Sequence, residues 1–145
     1  MKILIAILTL LLLTSQPVLS AEIWGGKWDN RWLVFFIIEE SNDKTKAIYK
    51  WEERRGQALS KNELSVRRDG PTLRVGSSMT LRLTNNRGYA YGDFARPRVA
   101  HLVKLDDDTD IEKLNAASII SAGWKNVPID KEAVKKKVFS GTSSE

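Results

Sequence analysis

The residues best suited to chemistry in this chain are aromatic. Trp24, Trp28 and Trp32 recur every four positions, so on an extended strand they share one side with Val34, Phe36 and Ile38. Ala47, Tyr49 and Trp51 can oppose them across a hairpin. With Tyr89 and Tyr91 added, Trp24, Trp32, Tyr49 and Trp51 can line a cleft that stacks on a saccharide or accepts a small apolar ligand. The same side chains serve equally as a plain core, because a small β domain needs large residues to bury enough area.

The polar candidates carry less chemistry. Glu39-Glu40 and Glu52-Glu53 offer paired carboxylates, but adjacent strand residues point to opposite faces and both pairs flank turns, so they read as solvated hairpin charges. His101 has no acidic neighbour at a useful spacing and reads as a satisfied or surface histidine. Asp106, Asp108 and Asp110 alternate like the start of a calcium loop. However, Ile111 stands where that loop needs glycine and Ala117 where it needs glutamate, which leaves an acidic linker. Arg54-Arg55 and Arg67-Arg68 form a basic patch if their loops meet.

Composition narrows the classes further. A chain of 145 residues is enough for one domain. The absence of cysteine removes disulfides, thiolate metal sites and cysteine nucleophiles, and a single histidine rules out a multi-histidine metal centre. No catalytic residue, metal ligand or cofactor is assigned on this reading. Charge is uneven: Glu22 to Leu105 holds sixteen Lys and Arg against ten Asp and Glu, a balance of +6, while Asp106 to Glu145 holds six against eight, a balance of −2. No dense Lys/Arg run appears, and the reading includes no nucleic-acid partner.

Residues 1–20 read as a secretory signal, with Lys2, the apolar run from Ile3 to Leu13, and Val18-Leu19-Ser20 before a cleavage point at Ala21. The rest of the chain has no second long apolar run, so no transmembrane segment is expected once the signal is removed. Lack of cysteine and of an Asn-x-Ser/Thr sequon fits a bacterial periplasmic or secreted product.

Alternation of period two dominates from Trp24 to Leu105. Leu73, Val75, Met79, Leu81 and Leu83 form an apolar row bent at Gly76-Ser77-Ser78. Asn85-Asn86-Arg87-Gly88 then reads as a tight, positive-φ hairpin into Tyr89-Ala90-Tyr91. Trp32 to Ile38 and Lys46 to Trp51 make a second hairpin, Leu64-Ser65-Val66 a short strand, and Arg98 to Leu105 a last strand. About six strands in a meander are expected over 21–105, followed over 106–145 by an acidic linker and a helical or disordered tail. Thr109-Asp110-Ile111-Glu112 predicts a helix to about Ser121 that stops at Gly123. Asp130 caps a second helix faced by Val134 and Val138, and Ser140 to Glu145 is expected to be disordered.

Gly26-Lys27-Trp28 at the first strand, followed by a meander ending in the basic strand with Arg96, Arg98 and Lys104, resembles the calycin superfamily of lipocalin-like and avidin-like barrels. It is also similar to small exported bacterial domains with a Gly-x-Trp start and a Tyr-x-Trp second strand, here Tyr49-Lys50-Trp51. The resemblance implies that Trp28 plugs one barrel end beneath Arg98 or Arg96, with Gly26, Trp28 and Arg98 as structural residues.

The expected fold is all-β, an antiparallel meander forming a small barrel, closed or incomplete, with a C-terminal extension. The expected function is that of a non-catalytic exported module holding a small apolar or aromatic-stacking ligand at the barrel mouth. The alternative is a protein-interaction or inhibitor module of the bacterial envelope that uses an apolar and basic surface. The second apolar face, Leu33, Phe35 and Ile37, needs a cover from the C-terminal helices or from a second subunit.

Overall fold

The computed structural model describes residues 20–140. Eight antiparallel strands in sequence order close a barrel: β1 (Ser20–Trp28), β2 (Trp32–Ser41), β3 (Lys44–Trp51), β4 (Ser60–Asp69), β5 (Thr72–Val75), β6 (Met79–Leu83), β7 (Arg87–Gly92) and β8 (Arg98–Leu105). Closure comes from β1 pairing with β8, with Gly26 opposite Leu102 and Trp24 opposite Lys104. The expected export signal, apart from Ser20, and the expected tail beyond Ser140 lie outside the described residues. No helix among the described residues is long and apolar enough to cross a membrane.

Eight strands appear where about six were expected, for two local reasons. Asp29 and Asn30, at φ 52° and 60°, make a tight turn that separates β1 from β2, while Trp28 and Trp32 stay paired across it. The aromatic row therefore keeps its side through the turn and reads in sequence as one strand. Gly76, at φ 61°, likewise splits the apolar row into β5 and β6. β4 runs for ten residues rather than three, because its polar sides leave only Leu64 and Val66 as apolar signal.

A two-residue turn at Asn42 and Asp43 joins β2 to β3, again at positive φ, and Asn85-Asn86 adopts no positive φ. There Thr84 instead donates through both its backbone N–H and its hydroxyl to the Arg87 carbonyl.

Even-numbered positions of β1, β2 and β8 face inward, as Trp24, Trp28, Val34, Phe36, Ile38, Ala100 and Leu102 do in the barrel core. The outward row Leu33, Phe35 and Ile37 packs with Ile23, Val103 and Leu105 under Leu114, Ile119 and Trp124 of the C-terminal segment. The chain thus covers its own second apolar face.

That segment departs from the expected single helix. Asp110 caps a short 3₁₀ turn (Ile111–Lys113), Leu114 is extended and buried, and Asn115 starts α1 (Ala116–Ser121) through a reciprocal cap with Ser118. Gly123 ends it at φ 100°. α2 (Lys131–Ser140) begins at Asp130, whose carboxylate accepts from the Glu132 and Ala133 amides. It lays Val134 and Val138 on Tyr91 and Val99 of the barrel wall. Ser140 belongs to this helix, and its hydroxyl accepts from Arg82.

Candidate functional site

The barrel has two ends of different character. The first mouth is bordered by the β1–β2, β3–β4, β5–β6 and β7–β8 connections. The second is bordered by the three intervening turns and the start of β1.

Aromatic rings fill the first mouth. Trp28 is 2% exposed, and its Nε1 donates to the Tyr49 hydroxyl at 2.9 Å. Its ring stands edge-on to Phe36 at 6.2 Å and to Phe94 at 5.7 Å. Tyr49 stacks between Phe36 at 5.3 Å and Trp51 at 4.7 Å. Burial outweighs the Trp28 hydrogen bond and the nearby Arg98 charge, and pushes the Tyr49 phenol up to about 12. Trp32 and Trp51 form the half-buried rim.

Trp28, expected as a plug beneath Arg98 or Arg96, is buried in this mouth. The Arg98 guanidinium lies over Trp32 at 4.4 Å, and Arg31 approaches the same ring at 5.8 Å. Gly26 is needed because its backbone lies against β8, where a methyl group would overlap the His101 carbonyl oxygen.

The second mouth is a cleft of about 370 Å³ lined by Glu22, Trp24, Arg68, Pro71, Leu73, Leu83, Thr84, Asn85 and Lys104. Trp24 is buried at its floor, and its Nε1 donates to Glu22 at 3.0 Å. Glu22 also lies 4.0 Å from Lys104, and Arg68 pairs with Glu40. Glu22, Arg68 and Lys104 therefore surround a floor where the half-buried Leu83 lies over the buried Trp24 and Leu73. The Lys104 amide donates to the Asn86 carbonyl, which ties the β6–β7 turn over this mouth.

The six expected ligand residues are thus divided among three places. Trp32, Tyr49 and Trp51 stand at the first mouth and Trp24 at the second. Tyr89 and Tyr91 point outward: Tyr91 packs edge-on to Phe139 at 5.5 Å, and Tyr89 lies beside His101 and Lys137. The reason is that the inward positions of β7 are Gly88, Ala90 and Gly92, whose small size admits Leu83 and Phe94.

The carboxylate pairs separate by face, as expected, but Glu52 is not a solvated charge. It is buried, and its two oxygens accept from the Leu33 and Gly56 amides, each at 2.9 Å. Arg54-Arg55 and Arg67-Arg68 lie toward opposite ends of β4, about 20 Å apart along a strand rising about 3.3 Å per residue, so they form no common patch.

Sequence reading also passed over Lys50, which is buried and donates from Nζ to the Ile111 carbonyl at 2.6 Å, anchoring the 3₁₀ turn. No cluster of three or more potential metal ligands occurs among the described residues. Comparison of the chain with protein-family models, with curated proteins and with solved structures returns no match.

Proposed function

We propose that this chain is a non-catalytic, exported binding module of calycin-like type that holds one small amphipathic ligand in the second mouth. The observation that carries the reading is the cleft of about 370 Å³ between an apolar floor and a charged collar. That volume suits a small molecule, and eight-stranded barrels have an interior just wide enough to be filled by side chains or to hold one small ligand. The ligand's apolar part lies on Leu83, above the buried Trp24 and Leu73, while its polar head meets Arg68, Lys104 and Glu22.

Support for the calycin-like assignment is the closed eight-stranded meander with Trp28 plugging the end opposite the cleft. Support for a non-catalytic role is that Glu22, Glu40 and Glu52 are each engaged by an indole, an arginine or backbone amides. The apolar run ahead of β1 supports export to a bacterial periplasm or medium.

The test is native mass spectrometry of protein purified gently from its own host, repeated on Trp24→Phe and on Leu73→Gln. A stoichiometric small-molecule adduct, kept by the wild type and weakened in both variants, is the expected result. A bare wild-type chain that also shows no tryptophan quenching across a panel of lipids, sterols, tetrapyrroles and oligosaccharides overturns the reading.

A second reading, an envelope module that binds an acidic protein, draws on the first mouth. Arg31, Arg54, Arg55 and Arg96 are exposed there on three connections, with no carboxylate partner among the described residues. Its original apolar surface, Leu33, Phe35 and Ile37, is already occupied by Leu114, Ile119 and Trp124.

A further inference from the structure

A different cleft, on the outer wall of the barrel, concerns the chain's only histidine. A space of about 100 Å³ lies between β7, β8 and the strap that follows α1, with Arg87, Tyr89, His101, Trp124 and Lys125 among its walls. The strap is held down where the Trp124 Nε1 donates to the His101 carbonyl at 3.2 Å. The His101 imidazole lines this space, and its Nε2 is buried with no hydrogen-bond partner.

Every charged group facing this imidazole is a cation. Arg87 comes from β7 and Lys125 from the strap. Lys137 comes from α2, with its Nζ donating to the Tyr89 hydroxyl at 3.1 Å. Lys27 of β1 stands 5.4 Å from the Trp124 ring. No carboxylate lines the cleft, and none of these four cations is in an ion pair among the described residues. Burial first, then the Lys137 and Arg87 charges, hold the imidazole below its usual range.

We infer that this outer cleft is a binding site for one small free oxyanion, of the sulfate, phosphate or carboxylate class, held by Arg87 and Lys125 beside the His101 imidazole, with the Lys137 charge adding to the field. A neutral ligand would leave the cations unopposed, and a metal cation would meet only like charge. The volume corresponds to about three waters at roughly 30 Å³ each, which admits a few heavy atoms but falls below the roughly 300 Å³ of a site for a larger organic molecule. The site is separate from the barrel mouth and does not rest on the function proposed above.

Linkage sets the sign of its pH dependence. An anion beside the imidazole favours the protonated form, so binding tightens as pH falls through the imidazole's midpoint, and a bound anion raises that midpoint. Because the chain has a single histidine, its Cε1–H gives a single proton NMR signal that can be followed without assignment.

The experiment titrates that signal in sodium sulfate and in sodium chloride at equal ionic strength, for the wild type and for an Arg87→Gln/Lys137→Gln double variant. Sulfate is expected to raise the wild-type midpoint by at least about half a pH unit, and the double variant is expected to lose that rise. Superimposable wild-type curves in the two salts overturn the site and leave a cleft filled by water. A rise of the same size in the double variant also overturns it, as a general ion effect. Circular dichroism of the double variant checks that the barrel is intact, and calorimetry, expected to show sulfate heat in the wild type and none in the double variant, gives a second reading.

Discussion

The guanidinium of Arg98 lies 4.4 Å from the centroid of the Trp32 indole, so the first residue of β8 is packed on the first residue of β2. The contact depends on the β1–β2 turn. The Asp29 amide donates to the Val99 carbonyl at 2.7 Å, and the Asp29 carboxylate accepts from the Val99 amide at 3.2 Å, which brings the two strand starts together. Arg98→Gln is expected to lower unfolding free energy in urea by about 1 kcal/mol, and Arg98→Lys by less, since an ammonium lacks the planar stacking surface. A double-mutant cycle with Trp32→Phe should return a coupling of about 0.5–2 kcal/mol. A coupling of zero would show that the two rings of charge and indole are merely adjacent.

Tyr49 makes stability depend on alkali. Its folded pKa of about 12 exceeds the ordinary value of 10.0, so between those values the folded state keeps a proton that the unfolded chain has lost. The contribution is fully present below pH 10 and disappears as pH rises toward about 12, an amount of roughly 2–3 kcal/mol. Phenolate absorbance should show one of the three tyrosines titrating late. Tyr49→Phe should flatten the stability curve over this interval while costing about 1 kcal/mol at neutral pH through the lost Trp28 hydrogen bond. An unchanged alkaline slope in Tyr49→Phe would assign it to another group.

How much of this was legible depends on what each residue signals about its neighbours. Parity along a strand was enough to put Trp24, Trp28, Trp32, Tyr49 and Trp51 on one inward side, because the Asp29-Asn30 turn preserves pairing between Trp28 and Trp32. Parity alone could not tell inside from outside on β7, where the larger residues Tyr89 and Tyr91 face outward and Gly88 and Ala90 face the core. The missing information was a volume: Leu83 and Phe94 already occupy the space beside Gly88 and Gly92. In the same way nothing near Glu52 in sequence announces the Leu33 amide, which reaches it only once β2 and β3 are paired.

Glu52 carries a testable share of the first mouth's rigidity. One oxygen holds the Leu33 amide at the start of β2, and the other holds the Gly56 amide in the β3–β4 connection, where Gly56 sits at φ 82°. Removing the carboxylate leaves the buried Leu33 amide unpaired, so Glu52→Ala is expected to cost about 1–3 kcal/mol. Glu53→Ala, at an exposed neighbour, should stay within about 0.5 kcal/mol. Hydrogen exchange would show the Leu33 amide losing protection in the first variant and keeping it in the second. Equal costs for the two substitutions would contradict the assigned role.

The paired glycines of β1 separate two kinds of crowding at the barrel seam. A methyl on Gly25 points outward and meets the Ile119 side chain at 2.7 Å and the Phe35 ring at 2.8 Å, whereas one on Gly26 points inward against the His101 backbone carbonyl. A side chain on α1 can rotate or lift, but the carbonyl belongs to the β1–β8 ladder that closes the barrel. Gly25→Ala is therefore expected to cost about 1–3 kcal/mol and to expose Trp124 as the C-terminal cover loosens, with the barrel retained. Gly26→Ala is expected to cost more than about 4 kcal/mol, because relieving the overlap forces the seam strands apart. Near-ultraviolet circular dichroism distinguishes the two outcomes, since only seam opening removes the packed Trp28 environment. A Gly26→Ala protein as stable as the Gly25→Ala one would mean that β1 and β8 do not approach as closely as the ladder requires.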